Sequence, residues 1–201
     1  MIIIGAGNLG LHVLDILLYE NYQDEIVFFD ETKKSTVAPF DKFRIIQSIE
    51  EVREYLQKKS NTFISAIGNN RIRGKLTDRF EKIGGKLVSA ISRRACLSTL
   101  NEIKNEVVIQ PFVSVAHNVT FGKSCVIHAN SVIGHDIILG NYVSVATLTT
   151  LIGPCEIGDY TFIGTNCTIM PGIKIGKNVI VGAGSIVNRN LKDYENFIPS
   201  H

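Results

Sequence analysis

No stretch of this sequence approaches the roughly 18 to 20 consecutive apolar residues that a membrane span requires. The opening, MIIIGAGNLG, is apolar but has neither the basic n-region nor the small-residue cleavage site of a secretory signal. Charge of one sign is lacking too. With 21 Lys and Arg against 19 Asp and Glu, the net charge is only +2. That gives no basis for a nucleic-acid-binding surface or a polybasic membrane anchor. A cytoplasmic protein is expected, with no membrane span and no nucleic-acid partner. Cys96, Cys125, Cys155 and Cys167 include no C-x-x-C pair. Without a secretory context they read as reduced thiols, and no pair has zinc-ligand spacing, so no metal is expected. What remains is ordinary for a soluble globular chain of 201 residues, 45% hydrophobic and 20% charged, with room for one domain or two small ones.

The strongest positive signal is an internal repeat. Every sixth residue from Ile103 is apolar, through Ile109, Val115 and Phe121 to Val181 and Val187, fifteen in succession without an insertion. At this hydrophobic content chance would produce such a run about once in 10^5 trials. A second frame, four residues on, holds small or β-branched residues, among them Val107, Cys125, Ser131, Thr149, Cys155 and Cys167. A large aliphatic and a small β-branched residue at fixed spacing suit flat strands around a narrow triangular core. A period of six does not match the 3.6-residue turn of a helix. Glycine follows the first frame at positions 122, 134, 140, 158, 164, 176 and 182, and is expected to supply the backbone angles of the corners. The reading is a parallel β-helix from about Ile103 to Val187, with three of the four cysteines in its core.

The N-terminal part differs. Ile2 to Ile4 reads as a short buried strand, followed by Gly5-Ala6-Gly7-Asn8-Leu9-Gly10, an amphipathic stretch to about Tyr19, and an apolar strand from Ile26 to Phe29 that ends at Asp30. Strand, G-x-G-x-x-G turn, helix, strand and acid is the pattern of a nucleotide-binding βαβ unit. Its glycines let backbone approach a phosphate at a helix N-terminus. Asp30, 20 residues after Gly10, stands at the right distance to bond a ribose hydroxyl. Glu50 to Lys59 reads as a helix and Thr62 to Ile67 as a third strand; Gly68-Asn69-Asn70 and a helix carrying Arg71, Arg73 and Arg79 follow. Lys86 to Ala90 reads as a last strand leading into the repeat. The expectation is therefore an α/β Rossmann-like nucleotide-binding domain, residues 1–85, with three or four parallel strands, and a β-helix domain, residues 86–201. A nicotinamide dehydrogenase would need a larger dinucleotide domain and a second catalytic domain after it.

The six-residue repeat resembles that of the hexapeptide acyltransferases. That resemblance implies three hexapeptides to a coil, left-handed winding, about five coils and a CoA thioester as donor. A small nucleotide domain joined to such a prism is similar to the sugar O-acyltransferase, or sialic acid O-acetyltransferase, family. Within it the chain most resembles the N-acetyltransferases of UDP- or dTDP-linked 4-amino-4,6-dideoxysugars that serve bacillosamine, perosamine and related bacterial surface glycan synthesis. The carriers are Ile4-Gly5-Ala6-Gly7, Phe28-Phe29-Asp30-Glu31, Ala66-Ile67-Gly68-Asn69-Asn70-Arg71-Ile72-Arg73 and Ser131-Val132-Ile133-Gly134-His135-Asp136. The resemblance implies nucleotide-sugar binding by Gly5, Ala6, Gly7, Asp30, Glu31, Gly68, Asn69, Asn70 and Arg73, and a homotrimer with acetyl-CoA in the groove between two prisms. The chain departs from the family at Asn8-Leu9, where a Gly-His pair is usual; any role of that histidine is lost or moved, for instance to His12. It departs again at Ser144, where some relatives have a second histidine. Relatives also continue past a Gly-x-Pro-Ala segment that helps cover CoA. Here Phe197-Ile198-Pro199 stands in its place, so either the chain is shortened or the adenine end of CoA is less enclosed.

Within the repeat, His135 is followed by Asp136. Acylating an amine requires the ammonium group to lose a proton, and a neutral imidazole with a pKa near 6.5 is the natural base at neutral pH. A neighbouring carboxylate orients that ring and stabilises its charged form. The resemblance implies these roles for His135 and Asp136; a solvent-facing turn histidine is the plainer alternative. Taking the family's coil length, His117, His135 and Gly153, each 18 residues from the next, share one face. The resemblance implies that the Gly153 N–H is the backbone donor to the oxyanion; His117 is a substrate contact or rival base. The pantetheine arm is expected near Ser144, Gly153, Gly164, Thr165 and Ala183, and the CoA phosphates near Lys174 or Lys177. Two other readings remain at this point: an O-acetyltransferase acting on a sugar hydroxyl such as that of sialic acid, and a non-catalytic nucleotide-sugar-binding protein.

Overall fold

In the computed structural model, which describes residues 1–32 and 39–199, three consecutive isoleucines form β1 (Ile2–Ile4) at the centre of a five-stranded parallel sheet. An uninterrupted apolar run of this kind suits a strand covered on both faces, and all three residues are buried. Helix α1 (Asn8–Tyr19) leads to β2 (Val27–Phe29), then β3 (Ile45–Ile46), α2 (Ile49–Lys58), β4 (Thr62–Ser65), α3 (Asn70–Lys82) and β5 (Lys86–Leu87). The sheet order is β3-β2-β1-β4-β5. It reverses between β1 and β4, so the carboxyl ends of those two strands open side by side, where open α/β sheets bind ligands. Phe29 and Phe63 both pack against Phe80 of α3, with ring centroids 5.0 and 5.2 Å apart. The Ser48 hydroxyl caps α2 by accepting from the Glu51 amide at 3.3 Å, the S-x-x-E arrangement of a capping box.

Two expectations change in this unit. Strand β3 was not legible, because two isoleucines give no alternation to count. The domain boundary also moves. Lys86 and Leu87 pair with Thr62 and Phe63, so the last strand belongs to the first unit, which runs from Met1 to Ala90, with the second beginning at Ile91.

The second unit is a parallel β-helix of three sheets. One face holds Val119–Phe121, Ile137–Leu139, Cys155–Ile157 and Lys174–Ile175. A second is built around Val107–Ile109, Cys125–Ile127, Ser144–Val145, Phe162–Ile163 and Ile180–Val181. The third is built around Ser114–Val115, Val132–Ile133, Thr150–Leu151, Thr168–Ile169 and Ile186–Val187. Ser114 pairs with Val132, Val132 with Thr150 and Thr150 with Thr168, so each coil takes 18 residues. Both sequence frames point inward: Ile109 to Val187 in the first and Val107 to Ser185 in the second are buried, Cys125, Cys155 and Cys167 among them. The prism starts earlier than Ile103. Ala90–Ile91 and Cys96–Leu97 already lie in its sheets, and Ile91 and Leu97 continue the first frame backwards.

The corner glycines have a different purpose from the one expected. Left-handed backbone recurs at every sixth residue from Phe112 to Gly184 except Pro154, and mostly in non-glycine residues such as Asn118, Asp136, Tyr142 and Leu148. The repeat glycines sit elsewhere in the corner, where successive coils press together. A Cβ at Gly158 would lie 2.6 Å from the Gly176 carbonyl carbon, and one at Gly164 would lie 2.6 Å from the Ala183 nitrogen. Stacking distance, not φ, excludes side chains there.

Candidate active site

Two places concentrate the expected residues. The first is the carboxyl end of β1 and β4. Gly5 has φ of 103°, and a side chain there would strike the Ile67 side chain and the Ala66 carbonyl at 2.7 and 2.8 Å. A Cβ at Gly10 would lie 2.1 Å from the Gly5 carbonyl oxygen. These two glycines are therefore demanded by the fold. Gly7 and Gly68 are not: nothing lies within 4 Å of where their side chains would begin. Gly7 precedes α1 with φ of −114°, no side chain caps that helix, and its first turn has no acidic residue. Bare N–H groups at a helix N-terminus beside a glycine that clears space are the two elements of a phosphate-binding turn.

The acidic and amide residues around this turn are engaged. The Asp30 carboxylate accepts from the Ala6 amide at 3.1 Å and from the Thr32 amide and hydroxyl at 2.9 and 2.7 Å. Glu31 pairs with Arg79 of α3 at 2.8 Å. Asn69 caps α3, accepting from the Ile72 amide at 3.1 Å, and Asn70 is buried. Arg73, expected as a nucleotide-sugar contact, is fully buried and donates to the Ile67 carbonyl at 2.9 Å. Its guanidinium thus shapes the β4–α3 loop from within. Leu9 packs into the core, while His12 is exposed on α1.

The second place is the prism edge joining the Ser114 and Val119 faces. His135 and Asp136 turn this corner, and Asp136 takes the left-handed conformation at φ of 55°. Nδ1 of His135 meets Oδ2 of Asp136 at 2.7 Å, with both side chains about half exposed. The other oxygen, Oδ1, accepts from the amide of Asn118, and the Asp136 N–H donates to the His117 carbonyl at 3.3 Å. Hydrogen bonds from Asn118 and then His135 hold the Asp136 carboxyl below the usual carboxylate range. With Nδ1 bound to the carboxylate, Nε2 of His135 is the nitrogen left to take a proton. The His117 ring stacks on that of His135, centroids 5.4 Å apart and planes 7° from parallel. His117, His135 and Asp136 are the one group of three potential metal ligands among the described residues, with ligand atoms within 4.8 Å of one another. Both oxygens of Asp136, however, are already engaged. Asn118 was missed by the sequence reading, although the column arithmetic that linked His117 to His135 also links Asn118 to Asp136.

The other expected contacts lie elsewhere on the prism. Gly153 is buried on the His135 edge, one coil on. Gly164, Thr165 and Ala183 occupy a different edge, between the Val107 and Ser114 faces, and buried Ser144 belongs to the Val107 face itself. One chain does not bring them to His135. Lys174 pairs with Glu156 at 2.7 Å, and Lys177 lies 3.7 Å from Asp193; exposed pairs of this kind contribute little stability. The groove beside Asp136, lined also by Ile138, Pro154, Glu156 and Lys174, measures only about 170 Å³. Small-molecule pockets run from about 300 to 1,000 Å³.

Fold and site together define an acyltransferase of the hexapeptide class, a β-helical prism with a histidine–carboxylate pair on one edge. Residues 1–80 match the family described as the PglD N-terminal domain, and residues 154–189 match the bacterial transferase hexapeptide family. In both parts the chain is similar to sugar acyltransferases built from such a domain and a hexapeptide prism. Its structure is similar to that of perosamine N-acetyltransferase from Caulobacter crescentus, solved as a His-to-Asn variant with CoA and GDP-perosamine. The two share 26% identity over 98% of this chain and 92% of that one, with a TM-score of 0.89. It is also similar to the acetyltransferase domain of PglB from Neisseria gonorrhoeae, solved with acetyl coenzyme A, at 25% identity over 98% and 95% of the two chains and a TM-score of 0.87. WeeI from Acinetobacter baumannii shares the fold at 23% identity and a TM-score of 0.85, over 97% and 94% of the chains. Among the described residues no helix is long and apolar enough to cross a membrane.

Proposed function

We propose that this protein transfers an acetyl group from acetyl-CoA to the 4-amino group of a nucleotide-linked amino-dideoxysugar, as a cytoplasmic step in bacterial glycan synthesis. The observation that carries this reading is the His135–Asp136 pair at 2.7 Å, which leaves Nε2 as a base on an open prism edge. The lone pair of the neutral amine attacks the thioester carbonyl carbon and forms the C–N bond, and one proton of the nitrogen, now cationic, passes to Nε2 of His135. Collapse of the tetrahedral intermediate breaks the C–S bond, and the imidazolium returns the proton to the departing CoA thiolate. The Gly153 amide is the donor assigned to the oxyanion.

The small groove beside Asp136, and the separate edge holding Gly164, Thr165 and Ala183, support a shared site. A homotrimer of left-handed prisms would set the His135 edge of one copy against the Gly164 edge of another, with CoA between them. The N-terminal unit acts as a Rossmann-like holder, its bare α1 N-terminus taking the diphosphate, Gly7 and Gly68 clearing room, and Asp30 and Asn69 flanking the nucleoside. That cradle favours a nucleotide sugar over free sialic acid as acceptor.

The perosamine enzyme was solved with a GDP-sugar, which adds GDP to the UDP and dTDP expected from sequence. The test is to follow CoA release and product mass with UDP-, dTDP- and GDP-linked 4-amino-4,6-dideoxysugars. Acetylation of one of them, with thermal stabilisation by the matching nucleotide alone, is the expected result. Turnover only with free sialic acid would overturn the reading. Gly7→Ala should leave the melting temperature unchanged, because its Cβ enters empty space. It should raise KM for the nucleotide sugar about tenfold, equivalent to about 1.4 kcal/mol.

A further inference from the structure

We propose that Asn118 is a positioning residue of the transfer reaction: its amide holds the Asp136 carboxylate so that the opposite oxygen keeps His135 with Nδ1 protonated and Nε2 free. The proposal rests on the reading of His135 as the base. Asn118 and Asp136 occupy equivalent corner positions in successive coils, both left-handed, with φ of 56° and 55°. The carboxylate has two oxygens and two side-chain partners, Asn118 on Oδ1 and His135 on Oδ2. A half-exposed aspartate with a single partner would exchange rotamers with water, and the imidazole would lose its fixed orientation. The second anchor, one coil below, selects the rotamer. The His117 carbonyl, accepting from the Asp136 N–H at 3.3 Å, ties the backbone of the same turn to that coil. Asn118 thereby also keeps the carboxylate ionised, since its hydrogen bond is the largest cause of the lowered Asp136 pKa.

The plain alternative is that Asn118 is there only because asparagine tolerates left-handed backbone. The prism argues otherwise. The equivalent corners are filled by Phe112, Ser124, Tyr142, Leu148 and Tyr160 at φ of 53° to 62°, so the turn does not require asparagine. What distinguishes position 118 is the acceptor its amide meets.

Two variants separate the turn from the amide. Asn118→Gly keeps the left-handed backbone without the donor, and Asn118→Asp keeps shape and backbone but sets a carboxylate against Asp136. Both should lower kcat about 10- to 100-fold, the scale of a misplaced catalytic group, with KM for both substrates and the melting temperature near wild type. The acid limb of kcat/KM should move to higher pH in Asn118→Asp, because a nearby anion favours the imidazolium. Asn178→Gly, a left-handed asparagine on another edge, should keep wild-type kcat. Wild-type kcat and pH profile in both Asn118 variants, or a loss confined to KM, would overturn the proposal while leaving His135 as base. Should Asn118→Gly fail to fold, Asn118→Asp decides alone through kcat and the direction of its pH shift. Full turnover in His135→Ala would instead overturn the reading beneath it.

Discussion

His135→Ala is expected to lower kcat by about 10²- to 10⁴-fold, the usual contribution of a positioned general base, with KM for the nucleotide sugar unchanged. The side chain is half exposed, stacked on the His117 ring and bound to Asp136 outside the core, so its loss leaves both buried frames intact and the melting temperature should not move. Because the hydrogen bonds of Asn118 and His135 lower the Asp136 pKa, the carboxylate's hold on the ring is present above the ordinary carboxylate range. It is lost only as pH falls through the lowered value. Asp136→Asn should therefore remove the ring's charged anchor throughout the range in which wild type keeps it, lowering kcat there. Steady-state kinetics with the amino-sugar nucleotide check both points. Substantial turnover in His135→Ala would pass the role of base to His117, which the same assay on His117→Ala would reveal.

Gly153→Ala should be nearly as damaging, although no side chain of chemical interest is changed. A Cβ at Gly153 would lie 1.5 Å from the His135 carbonyl oxygen and 3.3 Å from the His135 nitrogen. The turn that carries His135 and Asp136 must move to admit it. Overpacking of this kind costs about 1 to 3 kcal/mol, and displacement of a catalytic group by an ångström costs about 100-fold in rate. Gly158→Ala is the matched comparison: its Cβ would meet Gly176 backbone at 2.6 Å, on an edge without the histidines. Both variants should lose several degrees of melting temperature, and only Gly153→Ala should lose kcat at a temperature where both are folded. Equal kcat in the two would remove Gly153 and its turn from the site.

Much of the architecture was legible because a prism is almost one-dimensional. Each coil repeats the same inward residues, so Ile109, Ile127, Val145 and Ile163, which form one column of the core, declare themselves by spacing alone. The same frame extends back through Leu97 and Ile91, and the true start of the prism was readable there. The N-terminal unit was less so. Its β1 is three isoleucines in a row and β4 lies within a mostly apolar stretch, but β3 is two isoleucines whose pairing with Phe28 and Phe29 depends on a distant strand. The glycine corners were located correctly and explained wrongly, because sequence shows where glycine stands and not what a Cβ would meet.

The candidate site divides along the same line. The stacked rings of His117 and His135 follow from coil length, and the His135–Asp136 neighbourhood follows from adjacency in the chain. The engagement of Asp30 by Ala6 and Thr32, the burial of Arg73, the pairing of Glu31 with Arg79 and the hold of Asn118 on Asp136 do not. By itself the sequence determined the repeat, the inward columns and the turn between β1 and α1, because these depend on residues close in the chain or spaced by a constant period. Only the tertiary structure decided which glycines the fold requires and which it leaves open, and which carboxylates are already partnered. Those outcomes depend on atoms that meet across coils and across the sheet, within distances that no spacing along the chain encodes.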